Sequence, residues 1–279
     1  MFRLSDISIV ESKEALAAIP QGKVLINTIN AHSYNMAQKD EAFAESLTPC
    51  LSPEDEGSIQ KYLIPDGASI VKACRWLKGR SMPQERIAGW DLFAFEMERG
   101  SEDDNTNVNL DHNDNVDVKK KVMFMGSSEQ VLALIKERAA KDYPNMEVVT
   151  YSPPYKEAFS DEDDKAIIKA INDTNPDLLW IGMTAPKQEK WAWQHWPELD
   201  IHCHVGTIGA VFDFYAGTVK RAPEWMQRHA LEWLYRLAKE PGRLWRRYLV
   251  GNPVFAWHIL KEKINKRYDI HQTNTQKRK

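Results

Sequence analysis

Short apolar runs and longer amphipathic stretches alternate along most of the chain. Lys23–Thr28 (KVLINT), a run closing at Ile64, Lys121–Met125 (KVMFM), Val148–Tyr151 and Leu178–Ile181 each have the length and composition of a strand. Ile201–Val205 reads as a further buried strand. Between them the spacing predicts helices over Ser33–Leu47, Ala68–Leu77, Glu129–Lys141 and Asp164–Asn172. Strands alternating with helices of this length build βαβ units, so the predicted fold is α/β with a mostly parallel, Rossmann-like sheet. From Pro223 onward the pattern is helical throughout. Glu224–Lys239 reads as one helix, Pro241-Gly242 interrupts it, and Arg243 starts the next. The expected organisation is a core over residues 1–219 with a helical C-terminal appendage over 220–279.

Two stretches stand apart. Ser101–Lys120 carries six acids and five Asn without an aromatic residue, too polar to offset the entropy of ordering, and is expected to be a disordered loop. Leu51–Gln60 reads as a smaller insertion. The rest has the composition of a globular protein, with 43% hydrophobic and 28% charged residues among 279. Such a chain buries a core without help from disulfides or metals. Cys50, Cys74 and Cys203 form no C-x-x-C pair, which argues against a disulfide framework or zinc knuckle and fits a reducing compartment. Residues 1–22 show no apolar signal region and no 18-residue apolar run occurs, so a cytoplasmic location is expected.

Charge adds an asymmetry. Lys220–Lys279 holds fifteen Lys/Arg against five Asp/Glu, a net of +10, so the first 219 residues carry −13 of the total −3. A basic tail on an acidic body suits phosphate, nucleic acid or an anionic membrane; a solvated basic face suits the charge equally well.

In open parallel sheets the ligand crevice lies beyond the carboxyl ends of the strands. That singles out Thr28–Asn30, Asp66-Gly67, Gly126–Ser128 and Met183–Gln188. Asp66 follows an apolar run directly and is placed for a general base, although Pro-Asp-Gly is also common turn chemistry. Gly126-Ser127-Ser128 either aims backbone N–H groups at a phosphate or simply turns the chain; neither G-x-G-x-x-G nor a Walker sequence is present. His202 and His204 lack a third ligand at suitable spacing and read as structural. The acids Asp161–Asp164 precede a helix and complement its dipole, and no D-x-D follows a strand, so metal ligands are not evident.

Arg243, Arg246 and Arg247 fall at i, i+3 and i+4 just after Pro241-Gly242. Like charges at that spacing cost about 0.2–0.5 kcal/mol per pair, and a helix N-terminus disfavours each cation by about 0.3–1 kcal/mol. With Arg236 one helix earlier, the cluster makes sense if a diphosphate completes it. Trp225, Trp233, Tyr235, Trp245, Tyr248, Phe255 and Trp257 are interleaved with it, for helix packing or for a membrane interface.

Nine pieces of text follow one another over about residues 23–250: Asn27–Ser33 (NTINAHS), Ile64–Gly67 (IPDG), Arg86–Phe93 (RIAGWDLF), Pro153–Tyr155 (PPY), Ala185–Glu189 (APKQE), Val205–Phe214 (VGTIGAVFDF), Arg221–Pro223, Glu232–Leu237 and Glu240–Tyr248. Together they resemble the WecG/TagA/CpsF glycosyltransferases, which build bacterial surface polysaccharides and wall teichoic acid. The resemblance implies transfer of an N-acetylmannosamine-type sugar from UDP to a polyprenyl-diphosphate-linked N-acetylglucosamine, with inversion and with no metal or other cofactor. It implies Asp66 as the base for the acceptor hydroxyl, with Thr28 beside it and Asn30 and Arg86 lining the pocket. Gln188 and Asp213 would position the substrates, while Arg236, Arg243 and Arg246 would neutralise the departing diphosphate. The implied partners are a UDP-sugar donor, a lipid-linked sugar acceptor and an anionic membrane surface on the inner face of the cytoplasmic membrane, with no nucleic acid; a homo-oligomer is left open. Two departures from the family's text are the long acidic segment and the small insertion Leu51–Gln60, and Ser127 also stands where a second glycine is common. A nucleic-acid-binding α/β protein would account for the tail but not for the ordered motifs of the acidic body. A cofactor-dependent oxidoreductase would account for the sheet but lacks its fingerprint.

Overall fold

A computed structural model describes residues 2–50, 60–102, 119–229 and 231–276, with side chains described through residue 266. The chain opens with α1 (Lys13–Ala17), β1 (Val24–Ile29), α2 (Ala31–Ala37), α3 (Glu41–Leu47), β2 (Gln60–Pro65), α4 (Ala68–Leu77) and α5 (Gly89–Glu102). It continues with β3 (Lys120–Gly126), α6 (Glu129–Asp142), β4 (Met146–Tyr151), α7 (Asp161–Thr174), β5 (Leu178–Gly182), α8 (Lys187–Gln194), β6 (His204–Thr207) and α9 (Ala210–Ala216). The helical end comprises α10 (Glu224–Arg228), α11 (Glu232–Lys239), α12 (Pro241–Trp245), a π turn over Arg246–Val250 and α13 (Gly251–Gln276). The six strands pair in parallel throughout, in the order β2-β1-β6-β5-β3-β4. The fold is α/β and Rossmann-like, as the βαβ pattern predicts.

Alternate side chains leave opposite faces of the sheet. Ile26, Val122, Phe124, Leu178 and Trp180 pack with residues of α5, α6 and α9. Leu25, Met123, Leu179, Ile181 and Val205 pack with α7 and α8 on the other face. Ile29 and Leu63 carry a third cluster with α2, α3 and α4, which Phe255 and Ile259 of α13 join. The last helix is pinned to the start of the chain by one buried carboxylate. Glu262 accepts hydrogen bonds from the Leu4 and Ser5 backbone N–H groups at 3.1 and 2.6 Å and from the Tyr34 hydroxyl at 2.9 Å. Burial and that carboxylate push the Tyr34 phenol well above its usual range.

Several boundaries differ from the predicted ones. The helix expected over Ser33–Leu47 is two, because the Asp40 side chain accepts from the Phe43 N–H at 3.0 Å and caps a new helix. The helix expected over Glu224–Lys239 is also two: Leu231 N–H closes onto the Met226 carbonyl at 2.8 Å and ends α10. Strand β6 begins at His204 and runs past Val205 through Gly206, where the Trp180 ring fills the space a side chain would need. Of Ser101–Lys120, the first two residues finish α5 and Lys120 opens β3, while 103–118 lie outside the described residues. Residues 51–59 lie outside them as well, and Gln60 opens β2. Among the described residues no helix is long and apolar enough to cross a membrane.

Candidate active site

Strands β1, β2, β5 and β6 end on one cleft of about 2640 Å³, and residues of α11 to α13 line its other side. Asp66 sits where β2 passes into α4. Its N–H donates to the Ile29 carbonyl at 2.8 Å, and the Pro65 carbonyl accepts from both Gly67 and Ile87 N–H at 3.0 Å. The Pro-Asp-Gly turn and the candidate position for a base are therefore the same feature, since this turn fixes where the carboxylate stands. Gly67, with φ of 153°, supplies backbone freedom there that a side-chain-bearing residue lacks.

Asn30 orients the carboxylate from β1's end. Its Oδ1 accepts from the His32 and Ser33 N–H groups at 3.0 and 3.1 Å while Ser33 Oγ accepts from Asn30 N–H at 2.8 Å, a capping box that starts α2. With the oxygen occupied, the Asn30 amide nitrogen is the group that hydrogen-bonds Asp66. Burial raises the Asp66 pKa above the ordinary carboxylate range; Glu232 adds to this, and Arg86, Asn30 and Arg247 oppose it. Arg86 and Glu232 pair at 3.3 Å. Thr28 stands half-buried at the end of β1 in the same cleft.

The cationic wall comes from the helical end. Arg236 is half-buried, 5.7 Å from the Phe214 ring, and Arg243 lies exposed on Glu240 with Nε donating at 2.6 Å. Arg221 lies 4.8 Å over the Trp90 ring. Arg247 is half-buried against the cleft, and burial lowers its pKa, helped by the charges of Arg236 and Arg243. The buried Nε atoms of Arg221, Arg236 and Arg247 have no hydrogen-bond partner among the described residues. Guanidinium N–H groups buried without an acceptor are costly, and an anion in the cleft would satisfy them. Burial, with Arg247 adding to it, lowers the His32 pKa to about 4 and keeps that imidazole neutral.

The structure exchanges one arginine of the predicted set. Arg246 does not line the cleft; it is exposed, with its guanidinium 5.3 Å from the Trp245 ring, and Arg247 stands at the cleft instead. Helical geometry explains the exchange. Even at the α-helical advance of about 100° per residue, i+4 from Arg243 lies nearer its direction than i+3 does, and the wider π turn that opens at Arg246 increases that difference.

Gln188 is buried, and its polar atoms serve the protein. Its Oε1 accepts from the Met183 and Gly209 N–H groups at 3.1 Å each, joining the loops after β5 and β6, and its amide donates to Glu189 Oε1 at 2.8 Å. Glu189 is 2% exposed, and burial pushes its carboxyl up to about 7; its Oε2 has no partner. Asp213 on α9 is half-buried; desolvation raises its pKa against Thr218, Arg243 and Arg236. Ser127 adopts φ of 62°, a conformation that favours glycine, and its carbonyl accepts from Ser152 Oγ at 2.9 Å. His204 is buried between Glu96 at 3.0 Å and the Pro20 carbonyl at 2.9 Å, while His202 is exposed. Among the described residues no group of three or more His, Cys, Asp or Glu is gathered to hold a metal ion.

Thr28, Asn30, Asp66, Arg86, Gln188, Asp213, Arg236 and Arg243 thus share one cleft. His32, Glu189, Arg221 and Glu232 belong to it as well and were not singled out by sequence; all four lie inside the quoted motifs, but nothing in their spacing marks them.

This constellation has relatives. Residues 2–269 match the glycosyl transferase WecG/TagA/CpsF family. The chain belongs to that family. A Bacillus subtilis relative named N-acetylglucosaminyldiphosphoundecaprenol N-acetyl-beta-D-mannosaminyltransferase is 30% identical over 243 residues, 87% of this chain and 81% of the relative. Proteins of the same name from Bacillus spizizenii (32% identical; 72% of this chain, 68% of the relative) and Staphylococcus aureus (26%; 86% and 81%) are also similar. As a WecG/TagA/CpsF glycosyltransferase, the enzyme transfers hexosyl groups, and its cleft is the place to seek that chemistry.

Proposed function

We propose that this glycosyltransferase moves an N-acetylmannosamine-type sugar from UDP onto N-acetylglucosamine carried by polyprenyl diphosphate, with inversion and without a metal ion. The observation that carries the reading is the pairing, in one cleft, of a desolvated carboxylate at Asp66 with arginine N–H groups that lack acceptors. The relatives' name supplies the sugars and the lipid.

In this reading Asp66 takes the proton of the acceptor hydroxyl as its oxygen attacks the anomeric carbon. The bond from that carbon to the β-phosphate oxygen breaks, and UDP leaves with the electron pair. A single displacement of this kind inverts the anomeric centre. Arg236, Arg243 and Arg247 take up the charge that develops on the diphosphate, where a fixed donor contributes about 3–4 kcal/mol. Thr28 and Arg86 hold the substrate beside the base, Asn30 aims the base, and Gln188 and Asp213 shape the donor end. Residues 1–219 supply the base and 220–279 most of the cations.

The same reading brings the enzyme to the inner face of the cytoplasmic membrane as a peripheral protein. Trp245, Leu249, Val250 and Trp257 are large apolar residues left exposed on the basic end of the chain. Each Lys or Arg near an anionic leaflet contributes about 1 kcal/mol. UDP release from a panel of UDP-sugars, with and without a lipid-linked N-acetylglucosamine, tests the proposal. Acceptor-dependent release with N-acetylmannosamine donors, undiminished by a chelator, supports it; release with other sugars alone, or independent of acceptor, contradicts it.

A further inference from the structure

The cleft does not end at Asp66. It continues along α4, where Lys72, Ala73 and Trp76 line it at one helical face, and meets Ala256, Ile259 and Leu260 on the facing side of α13. From Ala68 to Trp76 this extension follows about 12 Å of helix. Its floor is apolar and buried at Ala73 and Ile259, and its outer end keeps large apolar groups in solvent: Trp76 is 48% exposed and Leu260 38%. That end is framed by Lys263 and Lys266, whose Nζ atoms donate to the Trp76 and Lys78 carbonyls at 2.5 and 2.7 Å. Lys72 is exposed and lines the passage midway between Ala68 and Trp76, with no hydrogen-bond or ion-pair partner among the described residues.

Both walls are helices, whose backbone groups are bonded internally, so the passage gives a peptide or a nucleotide little to pair with. What it offers is an apolar track leading out of a cationic chamber. The ligand with matching chemistry is an amphiphile with a diphosphate at one end and a hydrocarbon chain at the other. We propose that the passage between α4 and α13 holds the diphosphate-proximal part of the acceptor's hydrocarbon chain, with Lys72 on the acceptor phosphate. This rests on the functional reading above, and it adds the route by which the lipid enters. Trp257 and Ile264 of α13 are exposed as well, three residues before and four after Leu260, the spacing of neighbours on a helix surface.

The test uses the full chain and two acceptors with the same sugar-diphosphate head, one on a short water-soluble chain and one on a long polyprenyl chain. Ala256→Trp fills the passage, and Trp76→Ala removes its outer wall. Each is expected to lower kcat/KM for the long acceptor about tenfold, the equivalent of about 1.4 kcal/mol. Turnover of the short acceptor, which also reports correct folding, is expected to change less than about twofold. Equal loss on both acceptors, or loss on neither, overturns the proposal. So does a loss that tracks vesicle sedimentation and vanishes in detergent, because the surface is then only a membrane contact. A photoreactive polyprenyl diphosphate provides a readout independent of turnover: labelling on α4 and α13 is expected, and labelling confined to other segments overturns the passage. If the wild-type enzyme turns over neither acceptor while the probe labels α4 and α13, the functional reading fails and the lipid site stands.

Discussion

Arg86 and Glu232 lie 146 positions apart and pair at 3.3 Å across the cleft, the loop between α4 and α5 holding the first turn of α11. Both are less than a third exposed, and both act on Asp66 in opposite senses, Glu232 raising its pKa and Arg86 lowering it. Glu232→Gln removes the raising charge. The Asp66 pKa then falls, and the acid limb of the kcat/KM profile moves to lower pH. Gln keeps an acceptor oxygen for the partly exposed Arg86, so the stability lost with the ion pair is about 1 kcal/mol or less. A pH–rate profile checks the first effect; an unmoved or upward-shifted limb contradicts it.

Arg246 and Arg247 are neighbours with different surroundings, one exposed on Trp245 and one half-buried at the cleft. Arg247→Ala is expected to lower kcat on a water-soluble acceptor about 10²–10³-fold, the effect of removing one fixed donor to developing charge. Arg246→Ala is expected to change it less than about threefold. Steady-state kinetics of the two variants decide the matter, and the reverse order contradicts the assignment.

Glu189 ties stability to pH. Its folded pKa of about 7 exceeds the ordinary 4.5, so the native state binds the proton over a window in which the unfolded chain does not. The stability it contributes is fully present below about 4.5 and is lost as pH rises through about 7, a change of about 3 kcal/mol. Glu189→Gln keeps an acceptor for the Gln188 amide and removes this dependence. At pH 8 the variant is expected to melt about 5 °C or more above the wild type, with the gap closing near pH 5. Parallel pH dependences of the two melting temperatures contradict the assignment.

Glu262 is the anchor of α13. Glu262→Ala strands two buried backbone N–H groups and the Tyr34 hydroxyl, each costing about 1–3 kcal/mol. Lowered denaturation midpoints are expected, together with loss of catalysis at temperatures where α13 lifts. An unchanged midpoint contradicts the clamp. For the same reason, truncation at Gly251 removes Phe255 and Ile259 from the third core cluster as well as the exposed Trp257, Leu260 and Ile264.

The sheet was legible because parallel strands, buried on both faces, read as apolar runs between amphipathic helices. Boundaries were less so. Gly206 ends a strand by every local rule, yet β6 runs through it because the Trp180 ring needs its space. The break at Asp40 is a cap, which the apolar spacing of Ser33–Leu47 hides. In the site, Asp66 was legible from its place after a strand, and the arginine cluster from its unfavourable spacing. The choice of Arg247 over Arg246 is set by a π turn that opens at Arg246, which the spacing of the arginines does not reveal. Glu232 was not legible at all, since its partner Arg86 is brought to it only by tertiary folding.

The central claim is that Asp66 removes the acceptor proton in a cleft whose arginines hold the leaving diphosphate. UDP release by Asp66→Asn, measured with saturating UDP-N-acetylmannosamine and a lipid-linked N-acetylglucosamine acceptor, tests it most directly. A loss of about 10²–10⁴ in kcat is expected, with donor affinity within about twofold of the wild type. Near-normal turnover by Asp66→Asn would contradict the account and pass the role of base to Asp213, a second carboxylate of the cleft with a raised pKa, which Arg236 and Arg243 oppose.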